Sequence, residues 1–231
     1  MSLIRVTALL GTPVAMREEL HLDGIALAMR FGADAGMLNR ASGDEIIQYP
    51  PIPLYAPHLT PHHVYCCSAA QWSDDAVLGQ EQFTKRRDGE DLSRYVSKWQ
   101  PKGGADKNRM VPVQVVRASS MSWLAVGSRR GLKKLIGSHV RQLGALRGHG
   151  YGVVREWHFE RIENGDPVAA IHDGERALRH LPVEWCVEPE RTEEGGIRPP
   201  YWHAASRARR VPAGVSCRLR GEVAEAIRLC S

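Results

Sequence analysis

No run of about eighteen apolar residues occurs anywhere in this 231-residue chain, which excludes a membrane-spanning helix. The opening "MSLIRVTALLG" has only a short apolar part and no small-residue cleavage site, so no signal peptide is read. Cysteine is scarce: five residues, an odd number without framework spacing, which argues against a disulfide scaffold and for reduced thiols in a cytoplasmic protein. Metal-ligand spacing is also missing. In "HHVYCC", His62 to Cys67, adjacent ligands on a strand would point to opposite faces, and there is no C-x2-C or H-x3-H pair. Cys66 and Cys67 read as core or buried-edge residues, and neither a metal nor a cofactor is expected.

Basic charge is present, and it is segregated. The formal net charge is +5 and the pI about 9.1. Between Ser128 and Trp157 stand Arg129, Arg130, Lys133, Lys134, Arg141, Arg147 and Arg155 against Glu156 alone. "KRR" at Lys85–Arg87 and "RARR" at Arg207–Arg210 add to this, while acids gather in "EPERTEE". Such segregation fits either a polyanion-binding surface or the solvated face of a mildly basic protein.

The hydrophobic pattern predicts a strand over "LIRVTALL", with Ile4, Val6, Ala8 and Leu10 on one face. A helix follows in "LHLDGIALAMRFG", with Asp23 as its cap. "VYCCSAAQW", Val64 to Trp72, can form a strand, whereas the proline-dense stretch before it must be extended or loop. The charged residues from Gln82 to Arg109 carry few core candidates and read as a protruding insertion. Val111–Val116 and Met121–Val126 flank "RASS" as a predicted hairpin. Ser128 then caps an expected helix whose stripe is Leu132, Leu135, Ile136, His139, Val140 and Leu143, with Gly144 as C-cap. "VVREWHFERI" alternates as a strand. The order β-α-β-β-α-β predicts an α+β, ferredoxin-like core over residues 1–163, with an insertion at about 33–109. An irregular segment, 164–231, ending in a short helix, packs on the same domain.

Three features can carry chemistry. The loop "LGALRGHGYG", Leu143 to Gly152, can nest an anion on its backbone amides, with Arg147 and His149 as donors and Tyr151 as a stacking surface. It can equally be a helix end and a tight turn. It is not a Walker loop, because it closes a helix and lacks the Lys-Ser/Thr pair. "RPPYW", Arg198 to Trp202, can stack a base or plug the sheet. His21, His139 and His149 are the candidates for a general base in a metal-independent ribonuclease, but no spacing pairs them.

"PVAM", "LHLDGIALAMRFG", "IPL" at Ile52–Leu54, the Leu-Gly-x-x-Arg-x-x-Gly-x-Gly run and "RPPYW" resemble the RAMP subunits of CRISPR–Cas systems, and most nearly the Cas-five-like subunit of type IV effector complexes. The resemblance implies a ferredoxin-like core, a glycine-rich loop at 144–152 and a thumb that includes Lys85, Arg86 and Arg87. It implies a non-catalytic RNA-binding subunit that grips the 5′ handle of the CRISPR RNA and caps the guide-RNA filament. The partners implied are the large subunit, the backbone subunits and target DNA near its flanking motif, with no membrane. The RNA contacts expected on this basis are Arg129, Arg130, Lys133, Lys134, Arg141, Arg147, Gly148, His149, Gly150, Tyr151, Gly152, Lys85, Arg86, Arg87, Tyr201 and Trp202. A CRISPR RNA processing endoribonuclease is the alternative.

Overall fold

The computed structural model describes residues 2–16, 19–31, 51–57, 59, 61–85 and 109–229. The chain is a mixed α+β protein built on antiparallel sheets. Strand β1 (Ser2–Leu10) runs through the centre of the main sheet. It pairs antiparallel with β6 (Ser120–Gly127) on one side and with β7 (Val154–Arg161) on the other. The short β3 (Gln71–Trp72) pairs with the outer side of β6, giving the order β3-β6-β1-β7. The expected strand from Val64 to Trp72 is thus only partly regular: a bridge at Cys67↔Ala125 precedes the β3 pairing.

The alternation in β1 places Ile4, Val6, Ala8 and Leu10 on one face. There they meet Leu22 and Ala26 of α1 (Leu22–Phe31) and Leu132 and Ile136 from the helix after β6. Leu3 and Val126 point the other way, into a second core with Ile171, Leu181, Trp185, Val211 and Ile227. The second core comes largely from residues beyond β7. These form the small sheet of β8 (Leu181–Pro182), β10 (Glu193–Gly196) and β11 (Arg207–Val211), the pair β9 (Cys186–Val187) with β12 (Arg218–Leu219), and the terminal helix α3 (Gly221–Arg228). Each face of the main sheet therefore carries its own apolar layer. No helix among the described residues is long and apolar enough to cross a membrane.

Four expectations need correction. First, Val111–Val116 and Met121–Val126 are not a hairpin. The first run lies in β5 (Arg109–Arg117), which pairs residue for residue with β4 (Val77–Lys85) and, at Val115 and Val116, with β2 (Val14–Ala15). β5 and β6 belong to different sheets. The crossing at "RASS" is held by Asp75, whose carboxylate accepts from the Ser119 amide (3.0 Å) and the Ser73 hydroxyl.

Second, part of the stretch read as an insertion is structural. Ile52, Leu54, Tyr65 and Cys67 are buried in the first core, and Val77–Lys85 is one arm of the β4–β5 ribbon. Third, the helix begun by the Ser128 cap (Oγ accepting from Gly131 N, 3.1 Å) is shorter than its apolar stripe. It runs as α2 (Arg129–Leu132) and continues as a π-helical turn, Lys133–Gly137. Val140 and Leu143 are buried beyond its end, and His139 is exposed rather than in the core. Gly144 is therefore not its cap. After Gly137 the chain turns into extended pairing, because Leu143 N and Val154 N bond to Gly152 O and Arg141 O (both 2.8 Å). Fourth, Asp23 is not a free-standing cap. It lies in the first turn of α1, fully buried in an ion pair described below.

Candidate functional site

The glycine-rich loop is fixed at its base and bare at its tip. Gly152 sits at φ +65°, where a Cβ would overlap the Leu143 carbonyl, so only glycine lets the two arms of the loop close. Its amide donates to Pro13 O (2.8 Å), and Ala145 N donates to Ala15 O (2.7 Å), which docks the base against β2. Beyond this base Arg147, Gly148, His149 and Gly150 are all exposed, forming a single 3-10 turn over Arg147–His149. The ring of His149 meets that of Phe83 edge-on at 4.4 Å. The Tyr151 hydroxyl donates to Glu81 Oε2 (2.7 Å), while Arg117 donates to Oε1 (2.8 Å). These two donors hold the Glu81 carboxyl below its ordinary range, the tyrosine first. The loop is thereby tied to the β4–β5 ribbon, and a groove of about 440 Å³ runs between them, lined by Leu146, Ala145, Gln80 and Val111–Gln114.

Arg129, Arg130, Lys133, Lys134 and Arg141 are exposed, as is Arg147. None of them has a carboxylate partner among the described residues. Lys85 ends β4, the ribbon strand that the loop touches; Arg86 and Arg87 lie outside the described residues.

The other candidate residues lie elsewhere. A pocket of about 700 Å³ opens beside α1, lined by Glu19, His21, His180, Tyr201, Trp202 and Arg207 among others. Beneath it lies the buried pair Arg179–Asp23, at 3.0 Å with both side chains fully inaccessible. Asp23 also accepts from the Tyr201 hydroxyl (2.8 Å) and the Gly24 amide (2.8 Å). Arg179 also donates to the carbonyls of Ile197 (2.9 Å), Cys67 (3.2 Å) and Tyr65. Burial opposes the Arg179 charge most strongly, but Asp23 together with the other polar groups around the guanidinium outweighs it, and the guanidinium stays firmly protonated. Burial, then Asp23, pushes the Tyr201 hydroxyl well above its usual range.

Tyr201 is thus committed at its hydroxyl to Asp23 and Arg179, and its ring stacks on His21 at 4.9 Å. Trp202, its neighbour, is two-thirds exposed at the rim. The three histidines named as candidate bases do not converge. His21 meets His180 and Tyr201, His149 meets Phe83, and His139 is exposed after the π-turn. Glu19 and His180, which the sequence reading passed over, face each other at 3.2 Å. The one local hint was the Glu-x-His spacing of Glu19 and His21, while His180 joins them only through the fold. A comparison with protein-family models returns no match, and neither does a comparison with curated proteins.

Proposed function

We propose that the chain is a non-catalytic, RNA-binding subunit of a CRISPR–Cas effector complex of the RAMP class, of the type IV Cas-five-like kind. In this reading it acts in the cytoplasm, where it grips the 5′ handle of the CRISPR RNA and caps the guide filament. The observation that carries the reading is a run of exposed cations, without carboxylate partners among the described residues, that extends from α2 to a glycine-rich loop with a bare tip and a fixed base. Exposed Lys and Arg without carboxylate partners raise the local potential and release counterions when they meet phosphates. At Gly148 and Gly150, where no side chain intervenes, the loop backbone can approach a sugar-phosphate chain, while the amides of His149 and Gly150 are already committed to Leu146 O and Arg147 O.

Two further features support the resemblance. Taken in chain order, β1, α1, β3, β6, α2 and β7 follow the ferredoxin-like sequence of elements, and the sheet order β3-β6-β1-β7 fits that fold. The ribbon exposes Val77, Leu78 and Met110, apolar side chains suited to contact with the large or backbone subunits of an assembly. Contact with target DNA near its flanking motif belongs to the same reading.

The test is RNA affinity measured at two salt concentrations with a matched 5′-handle RNA and a scrambled one. Tighter binding of the handle is expected, with log K falling by about 0.7 per phosphate contact per log unit of salt. Equal, salt-independent binding overturns the reading. Endoribonuclease activity is the competing reading; incubation with repeat RNA in EDTA decides it, since cleavage there would replace the non-catalytic assignment.

A further inference from the structure

His21 is an anomaly. Its ring is 4% exposed, yet neither Nδ1 nor Nε2 has a hydrogen-bond partner among the described residues. Buried polar atoms are almost always satisfied, and an unsatisfied one calls for an account such as a bound ion. The side chain lines the 700 Å³ pocket, and its potential partners there are Glu19 and His180. One donor atom from each of Glu19, His21 and His180 lies within 4.8 Å of the others.

We propose that Glu19, His21 and His180 form a binding site for a divalent transition-metal ion of the zinc class. Two imidazoles and one carboxylate make up a three-ligand set that leaves a fourth position open, here toward the pocket. Glu19 and His21 are two residues apart on the non-helical segment ahead of α1, so they reach the same side of the chain. His180 is supplied by the residue next to the buried Arg179, whose bonds fix that stretch against α1 and Tyr65. A tetrahedral shell needs donors about 3.4 Å apart, closer than the present spread. Glu19, whose side chain is half exposed, can swing to close it.

The charges around the site nearly cancel: Asp23 is paired with Arg179 and Glu193 with Arg210, while Glu194 stands against Arg207, so the attraction for an ion comes from Glu19 and the two imidazoles themselves. Burial, followed by the charge of Arg179, keeps His21 well below its usual pKa, in the neutral form that a metal requires. Binding has a cost at His180. Its Nδ1 accepts from Ala213 N (3.2 Å), so Nε2 carries the proton and faces Glu19. Ligation through Nε2 moves that proton to Nδ1, where it faces the Ala213 amide, so the hydrogen bonds to Glu19 and from Ala213 N are both given up in exchange for metal bonds to Glu19 and His180 and a partner for His21.

The site is independent of the RNA-binding reading, and its test needs no RNA. The EDTA-treated full chain is titrated with Co(II), then Zn(II) is added in competition. The expected result is the visible absorption of four-coordinate Co(II), saturating at one ion per chain and bleached by Zn(II). Glu19→Gln, at a half-exposed side chain where folding is not at risk, should raise Kd by at least about 100-fold. His21→Ala and His180→Ala should do the same, with His139→Ala and His158→Ala unchanged. Octahedral or absent Co(II) absorption overturns the proposal, and so does binding that survives Glu19→Gln and His21→Ala.

Discussion

Two regions of this molecule hold positive charge in opposite ways. Under the pocket, Arg179 is buried and bound to Asp23, Tyr201 and backbone carbonyls. Along α2 and the glycine-rich loop, Arg129, Arg130, Lys133, Lys134, Arg141 and Arg147 stand in water without carboxylate partners among the described residues. The first arrangement makes charge a fastener: it joins the segment after β7 to α1 and to the edge of the main sheet. The second leaves charge available, because an exposed, unpaired cation gains little by folding and can be neutralised by a phosphate at no cost to the core.

The largest effect should come from breaking the fastener. Asp23→Asn leaves Arg179 charged and buried without its counter-ion, and a loss of about 3–5 kcal/mol is expected from denaturant unfolding. Replacing the pair together, Asp23→Leu with Arg179→Met, should cost markedly less than Asp23→Asn alone. An equal loss would mean that the pair holds the fold through its shape rather than its charge.

Next is the base of the loop. Gly152→Ala forces a side chain into a left-handed conformation and against the Leu143 carbonyl, so about 1–3 kcal/mol of stability should be lost along with RNA affinity. Gly150→Ala carries the same type of backbone strain, at φ +85°, but its Cβ meets nothing within 4 Å. It should cost about 1 kcal/mol at most and affect the loop tip alone. If the two variants behave alike, the rigid base and bare tip are not separate features.

Third, the combined change of Lys133, Lys134 and Arg147 to Ala should alter stability by less than about 0.5 kcal/mol. It should weaken RNA binding for every sequence tested and flatten the salt dependence by about one contact per residue removed. A fall in stability with RNA affinity retained would reverse the comparison between the two regions.

The same contrast explains what could be read from the sequence. β1 and β7 were legible because one face meets the first core along its length while the other meets the second core only near Leu3, so hydrophobic alternation survives in the residues. The exposure of the basic stripe was legible for a similar reason, since charges off an apolar stripe face water. The β4–β5 ribbon was not. β5 has an apolar run like β6 and sits next to it in sequence, but its partner, "VLGQEQFTK", is mostly polar and more than twenty residues upstream. Arg179 and His180, inside "LRHLP", gave no local sign of burial. Their partners Asp23, Glu19 and Tyr201 come from distant segments, and only the fold brings these charges together.

The smallest effect tests whether loop and ribbon act together. Tyr151→Phe removes one partly buried hydrogen bond to Glu81 near the surface, so stability should change by less than about 0.5 kcal/mol. The Glu81 carboxyl is the sharper probe. A phenol donating to it favours the ionised form, which is why its pKa lies below the ordinary value. In Tyr151→Phe the titration of Glu81, followed by NMR of the carboxyl carbon, should move up toward that ordinary value while Arg117 keeps it partly depressed. Linkage gives the sign for stability. A depressed folded pKa contributes above the unfolded carboxyl pKa, and the contribution fades as pH falls through the folded one. The wild-type loop should therefore loosen from the ribbon only in acid, with its amides exchanging faster there, while the variant's loop amides should exchange fast at every pH. An unchanged Glu81 titration would mean that the loop reaches its position over the ribbon without the tyrosine.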